Sequence, residues 1–196
     1  GQGMMLLFNI NTGLPQAILV DNANLTDLRT GIAGAMASNL LVNQDINSAA
    51  IIGTGVQARY QARCLMDLMP IKTINVWGRD SDKSKALQKD LSDLEVDLVI
   101  HKDLAALVSE ARLIITTTSS KKAIIQSDWV QSGTHITAVG SDTPEKCELD
   151  VNILARADIV VADSITQNQL RGEVHQALKA GLIEVSSLIE IGQIKR

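Results

Sequence analysis

From Ala49 onward the chain repeats one unit, a short apolar run followed by a stretch of helical periodicity. The runs are Ala49–Ile52, Thr73–Trp77, Val96–Ile100, Leu113–Thr117, His135–Val139 and Ile159–Ala162, and the helical patterns between them include Gln57–Met66, Lys83–Leu91 and Leu104–Ser109. Parallel strands need a long crossover between them, usually an α-helix. Alternation of this kind therefore predicts an α/β fold with a doubly wound parallel sheet of six strands. Composition points the same way. Hydrophobic residues make up 45% of the 196-residue chain but aromatics only 2%. The core must then be Ile, Leu, Val and Ala, a mixture that suits parallel strands covered by helices.

The segment before Ala49 follows another pattern. Met4–Asn9 and Ala17–Asp21 read as two strands around the turn Asn11-Thr12-Gly13, which predicts an antiparallel hairpin. A helix should follow within residues 22–41, with Thr26 as a candidate cap. Its small residues Gly31, Ala33, Gly34, Ala35, Ala37 and Ser38 would let another backbone come close. Each glycine costs such a helix up to about 1 kcal/mol relative to alanine, a loss that a tightly packed neighbour would offset. The polar stretch Asn43–Ser48 marks the expected boundary between this part and the sheet.

Gly53-Thr54-Gly55-Val56-Gln57-Ala58 has the form G-x-G-x-x-A, follows a strand and opens a helix. In that context it is a dinucleotide-binding turn. Gly53 permits the tight turn, Gly55 has no side chain to block a pyrophosphate at the helix N-terminus, and Ala58 lets the helix pack on the strand. An acid about 20 residues past the glycines would favour NAD. Here the second strand ends in Trp77-Gly78-Arg79-Asp80. A guanidinium suits a 2′-phosphate and a glycine leaves it room, so NADP(H) is favoured, with NAD(H) the alternative. Arg79 can equally be a solvated charge, with Asp80 or Ser81 capping the next helix. Thr116–Ser119 end the fourth strand where ligands lie in such sheets. After the fifth strand, Gly140 would let the chain approach a ligand, and Asp142 and Lys146 stand where substrate would meet cofactor.

Other classes find less support. A net charge of −4 with no basic cluster gives no reason to invoke nucleic acid. No apolar run approaches the roughly 18 residues of a membrane span, and Met4–Phe8 lacks the basic flank of a signal peptide. Cys64 and Cys147 are far apart, without a Cys-x-x-Cys pair, and His101, His135 and His175 have no ligand spacing. These features suggest a reduced cytoplasmic protein with no metal site.

The segments LTDLRTGIAGAMASNLL, IIGTGVQARYQ, VWGRD, IITTTSS, GTHITAVGSDTPEKCELD and RADIVVADS occur in this order, followed by Arg171-Gly172-Glu173. In these the chain resembles the ornithine cyclodeaminase/mu-crystallin family, most specifically in Leu28-Arg29-Thr30 and Gly140–Pro144. The resemblance implies a Rossmann-type domain over residues 46–170, a hairpin and helix over 1–45 from an incomplete second domain that dimerises and shapes the substrate pocket, and a helical return over 171–196. It also implies an enzyme acting on a small amino acid or cyclic imino acid, as a homodimer when intact. Gly78, where NAD-using cyclodeaminases have an acid, points to an NADPH-dependent ketimine reductase acting on pyrroline- or piperideine-2-carboxylate. An NAD-dependent cyclodeaminase and a non-catalytic cofactor-binding protein are the alternatives.

By the family pattern, Arg29 would touch the substrate carboxylate and the cofactor. Thr30, Val56, Gln57, Ser119, Val139, Gly140, Ser141 and Lys146 would line the cofactor, and Asp142 would be the acid/base carboxylate. The family's catalytic lysine and a further substrate arginine would precede the hairpin, and a C-terminal segment would follow Arg196. The expectation is therefore of a piece of a longer protein, catalytically incomplete by itself.

Overall fold

The computed structural model describes residues 4–42 and 46–194. Part of the expected domain boundary, at residues 43–45, lies outside them, as do residues 1–3 and 195–196 at the ends of the first and last expected segments. The chain opens with strands β1 (Met4–Phe8) and β2 (Pro15–Val20), paired antiparallel with a register shift between Leu7 and Phe8. Gly13, at φ 68°, takes the left-handed conformation of the turn. Both faces of the hairpin are open, with Met4, Leu6, Ile18 and Val20 exposed on one and Met5, Leu7 and Leu19 on the other.

Helix α1 (Asn24–Leu41) starts earlier than the sequence suggests. Thr26 lies inside it. The cap position is Ala23, and the Asp21 carboxylate accepts from the Leu25 amide at 2.6 Å instead. An acid two residues before the cap position does the capping because Asn22 and Ala23 both turn left-handed, at φ 51° and 70°. That turn brings Asp21 back over the first helical amides.

The repeating part follows as β3 (Ser48–Ile52), α2 (Val56–Leu68), β4 (Thr73–Trp77), α3 (Ser81–Asp90), β5 (Asp97–His101), α4 (Leu104–Glu110), β6 (Leu113–Thr116) and β7 (His135–Ala138). Five strands form one parallel sheet in the order β5-β4-β3-β6-β7. The strand order reverses between β3 and β6, the switch point where such sheets bind ligands. Successive side chains of a strand point to opposite faces, and the core divides accordingly. Ala49, Ile51, Ile74, Val76, Leu113 and Ile115 pack with Ala58, Ala62 and Leu65 of α2 and Leu87 of α3. Ala50, Ile52 and Ile114 pack on the other side with Leu107 and Val108 of α4. Helices α5 (Val151–Arg156) and α7 (Gly172–Lys179) complete that second layer through Ile153, Leu154, Val174 and Ala177.

The sixth run does not extend the sheet. β8 (Val160–Ala162) is followed by α6 (Ile165–Asn168) and α7, and it pairs in parallel with β9 (Leu188–Glu190) in a separate two-stranded sheet. The last segment is thus only partly helical. The apolar side chain of Leu188 brings β9 onto the second core layer, where it pairs with β8.

Helix α1 packs across α2. An added Cβ on Gly31 would lie 2.8 Å from Tyr60 Cβ, and one on Gly34 2.3 Å from Gln61 Oε1. The small-residue stripe is therefore the price of this contact. The fully buried Gln61 amide donates to the Thr30 carbonyl at 3.0 Å. Ser38, also buried, reaches Thr137 of β7, hydroxyl to hydroxyl at 2.8 Å.

Candidate functional site

The Gly53–Gly55 turn sits at the carboxyl edge of the sheet, at the switch point. The Gly53 amide donates to Trp77 O at 2.8 Å and the Thr117 amide to Ile52 O at 2.8 Å, so the turn lies between the ends of β4 and β6. Gly53 has φ 127°, and a Cβ there would meet Thr117 Oγ1 at 2.4 Å. No other residue fits that position without strain. Gly55 is the opposite case. Its absent Cβ faces open space, with nothing within 4 Å, and it caps α2 without a side chain on the first helical amides. Those amides and the helix dipole are then open to an anion. From below, Arg59 donates to the carbonyls of Thr54 and Gly55 at 2.8 and 3.0 Å while pairing with Asp90 at 2.6 Å. This brace was not singled out in the sequence, although a residue four past the cap lies one helical turn on.

Two glycines differ in their reasons from expectation. A Cβ on Gly78 would meet the Thr54 methyl at 2.5 Å and Ser84 Oγ at 3.0 Å, so its missing side chain admits the glycine turn and α3 rather than a phosphate. A Cβ on Gly140 would lie 2.1 Å from Thr118 O and 2.6 Å from Glu148 Oε2. The space its missing side chain leaves is taken by the protein's own β6 end and Glu148.

Arg79 is exposed and makes no hydrogen bond or ion pair among the described residues. Asp80 caps α3, its Oδ1 accepting from the amides of Asp82 and Lys83 at 2.9 and 3.2 Å. The Lys83 and Asp82 amides hold its carboxyl below the usual range. Val56 is exposed on the first turn of α2. Gln57 donates to the Asp27 carbonyl and carboxylate at 3.2 and 3.0 Å, and its Oε1 is buried without a partner. That amide ties Leu28-Arg29-Thr30 of α1 beside the glycine turn. Thr30 bonds back to Thr26 O at 2.8 Å, and Arg29 is exposed without a partner among the described residues.

Ser119, Val139, Gly140 and Ser141 follow the ends of β6 and β7. The Val139 amide donates to Thr116 O at 2.9 Å, which places the two loops side by side. Asp142 is exposed and paired with Lys146 at 2.5 Å, with side-chain exposures of 69% and 23%. The structure thus gathers the glycine turn, Ser119 and residues 139–141 along one edge, and pairs Asp142 with Lys146. No hydrogen bond or ion pair links Arg29 to Asp142. Among the described residues, no group of three or more His, Cys, Asp or Glu side chains could hold a metal ion, and no helix is long and apolar enough to cross a membrane.

Two acids beneath this edge were missed. Glu148 is fully buried and accepts from Thr116 Oγ1, the Thr118 amide and the Gly140 amide at 2.7, 2.5 and 2.9 Å. Burial pushes its carboxyl upward against those bonds. Glu173 of α7 accepts from Ser141 Oγ and the amides of Glu148 and Leu149 at 2.5, 2.7 and 3.2 Å. Burial, with Glu173 beside it, pushes the Cys147 thiol up to about 12, so it stays protonated. Nothing in residue spacing marks either glutamate. Only the resemblance quoted the stretches that contain them.

The model of the ornithine cyclodeaminase/mu-crystallin family matches residues 2–196. The chain belongs to this family. As a member of the ornithine cyclodeaminase/mu-crystallin family, it is 45% identical over 195 residues to an uncharacterized cyclodeaminase of Sinorhizobium fredii, covering 98% of this chain and 59% of that relative. Two solved structures share its Rossmann-type fold. The Δ1-pyrroline-2-carboxylate reductase of Thermococcus litoralis, in complex with NADH and L-proline, superposes with a TM-score of 0.88 at 25% identity, over 96% of this chain and 58% of the other. An archaeal alanine dehydrogenase dimer with bound NAD does so with a TM-score of 0.87 at 32% identity, again over 96% and 58%. The chain thus spans about six-tenths of the length of these relatives.

Proposed function

We propose that this chain is the nucleotide-binding part of an NADPH-dependent ketimine reductase, acting on a cyclic imino acid such as pyrroline-2-carboxylate or piperideine-2-carboxylate. The observation that carries the cofactor is the Gly53–Gly55 turn at the switch point. Gly55 opens onto free space, and the first amides of α2 lack a side-chain cap. Thr54, Val56 and Gln57 would flank the pyrophosphate, and Thr30, Ser119, Val139, Gly140, Ser141 and Lys146 would line the rest. Arg79, free at the end of β4, supports a 2′-phosphate and hence NADP(H). NADH and NAD in the two solved relatives support a nicotinamide cofactor without deciding between the two forms. When bound, it supplies a hydride to the C=N carbon.

The chain's own residues do the remainder. Arg29 would hold the substrate carboxylate, fixing the imine against the cofactor face. Asp142, paired with Lys146, would manage the proton on the imine nitrogen. Residues 1–45 would belong to a second domain that completes the substrate pocket, 46–170 to the cofactor domain and 171–196 to the return, in a homodimer like that of the alanine dehydrogenase. A cyclodeaminase would use the same geometry, oxidising an amine first and returning the hydride after ammonia leaves.

The test is Asp142→Asn in the full-length protein. The amide is nearly isosteric, so melting temperature and NADPH affinity should hold. The rate should fall about 10²–10⁴-fold, the typical contribution of general acid–base catalysis. Near-wild-type turnover by this variant would remove Asp142 from proton transfer.

A further inference from the structure

We propose that the buried carboxylates of Glu148 and Glu173 are positioning residues that clamp both ends of the loop carrying Asp142, fixing where that carboxylate meets the substrate. The proposal rests on the reading of Asp142 as the acid/base group. Asp142 needs such a device. Among the described residues its one side-chain tie is the exposed pair with Lys146, and exposed pairs hold geometry weakly. Proton transfer, by contrast, needs the carboxylate within hydrogen-bond reach of one atom.

The clamp grips the loop before and after Asp142. Upstream, the Gly140 amide donates to Glu148 Oε2 at 2.9 Å and Ser141 Oγ to Glu173 Oε1 at 2.5 Å. Downstream, the Glu148 and Leu149 amides donate to Glu173 at 2.7 and 3.2 Å. Glu148 then fastens the assembly to β6 through Thr116 Oγ1 and the Thr118 amide. Glu173 comes from α7, which presses close because Gly172 has φ 81° and a Cβ there would meet Ser141 O at 3.0 Å. Gly140 leaves the same kind of room against Glu148. The loop and its two clamps therefore fit together only with glycines at both contacts.

Charge is essential to this arrangement. Every bond given for the two carboxylates comes from a donor, and neither acid has an ion pair among the described residues. A carboxylate only accepts, whereas an amide would turn an NH₂ group toward a backbone N–H that cannot accept it. Buried acids without a cation are costly, so a loop needing only to be closed has cheaper solutions. Ser141 is held in the same way. With its proton directed to Glu173, its hydroxyl offers a ligand lone pairs alone.

Two measurements test the proposal. The first is hydrogen exchange in the purified, ligand-free protein. Glu173→Gln should speed exchange of the Glu148 and Leu149 amides and of residues 142–147 by roughly tenfold or more, the size of a lost charge-assisted hydrogen bond, and leave β3, β4 and β5 unchanged. The second is a double-mutant cycle on turnover of pyrroline-2-carboxylate with NADPH. Glu173→Gln should lower kcat by about 10–100-fold, in the range of losses from a small misplacement, with NADPH affinity within about threefold. In the Asp142→Asn background it should add nothing, because it acts through Asp142. Should Glu173→Gln fail to fold, Glu173→Asp keeps the charge but shortens the reach, and the same coupling is expected at smaller size. Unchanged exchange, or losses that multiply in full in the double variant, would overturn the clamp. An unaltered rate in Asp142→Asn alone would instead overturn the proton-transfer reading, and the exchange result would still decide the clamp.

Discussion

Arg79 stands exposed at the end of β4 with no partner among the described residues, while Asp80 beside it is turned to the amides of its own helix. The reading of Arg79 as a phosphate ligand therefore costs the fold nothing, and the variant tests it cleanly. Arg79→Ala should leave stability and NADH affinity unchanged and weaken NADPH by roughly 10–100-fold, the range of one charge-assisted hydrogen bond. Parallel fluorescence titrations with the two cofactors check this, and equal affinities in the unaltered protein would remove the assignment. At this scale the sequence showed the residues whose chemistry depends on local geometry. Gly53 and Gly55 stand where a strand meets a helix, and that context is written in neighbouring residues. Glu148 and Glu173 were not legible, because a lone acid with no spacing motif around it looks like a surface residue until folding buries it. Gly140 was legible as a close approach, but what it approaches is set by a strand more than twenty positions away.

Among the elements, α1 shows two opposed effects whose sizes can be compared. Gly34→Ala would gain helix propensity, up to about 1 kcal/mol. The added methyl would also meet Gln61 Oε1, in a fully buried amide bonded to Thr30 O. Overpacking typically costs 1–3 kcal/mol, so the variant should be less stable on balance and melt several degrees lower in a thermal scan. A higher melting temperature would mean that α1 does not pack on α2 as described. The seam between α1 and β7 makes a prediction in pH. His135 bonds to Thr137 Oγ1 at 2.9 Å, and Thr137 in turn to Ser38. Burial lowers the His135 pKa to about 4. The unfolded chain therefore binds the proton first as pH falls. Stability from this group is full above pH 6.5 and is lost progressively down to about pH 4, at most about 3 kcal/mol. Denaturant titrations across that range should show the slope, and His135→Gln should flatten it. The strands were well marked by apolar runs, to within a residue at most ends. The cap of α1 was not, because it depends on two left-handed residues that are not glycine.

On the scale of the whole molecule, the alternation from Ala49 onward was enough to read a doubly wound sheet, since parallel strands leave few ways to connect. Its sixth strand escaped because three residues of β8 can pair on either side, and the choice of β9 is made by packing of Leu188. The hairpin was legible, and its two apolar faces are open among the described residues. An isolated two-stranded hairpin is marginal, in keeping with the proposed second domain. Net reduction of a cyclic imine is the activity proposed for the protein that carries this cofactor domain. The most direct measurement is the stoichiometry of the full-length protein with NADPH and pyrroline-2-carboxylate, followed by loss of reduced-nicotinamide absorbance and by proline formed. One NADPH consumed per proline formed is the predicted result. No net NADPH consumption, with ammonia released from ornithine at catalytic cofactor, would contradict it.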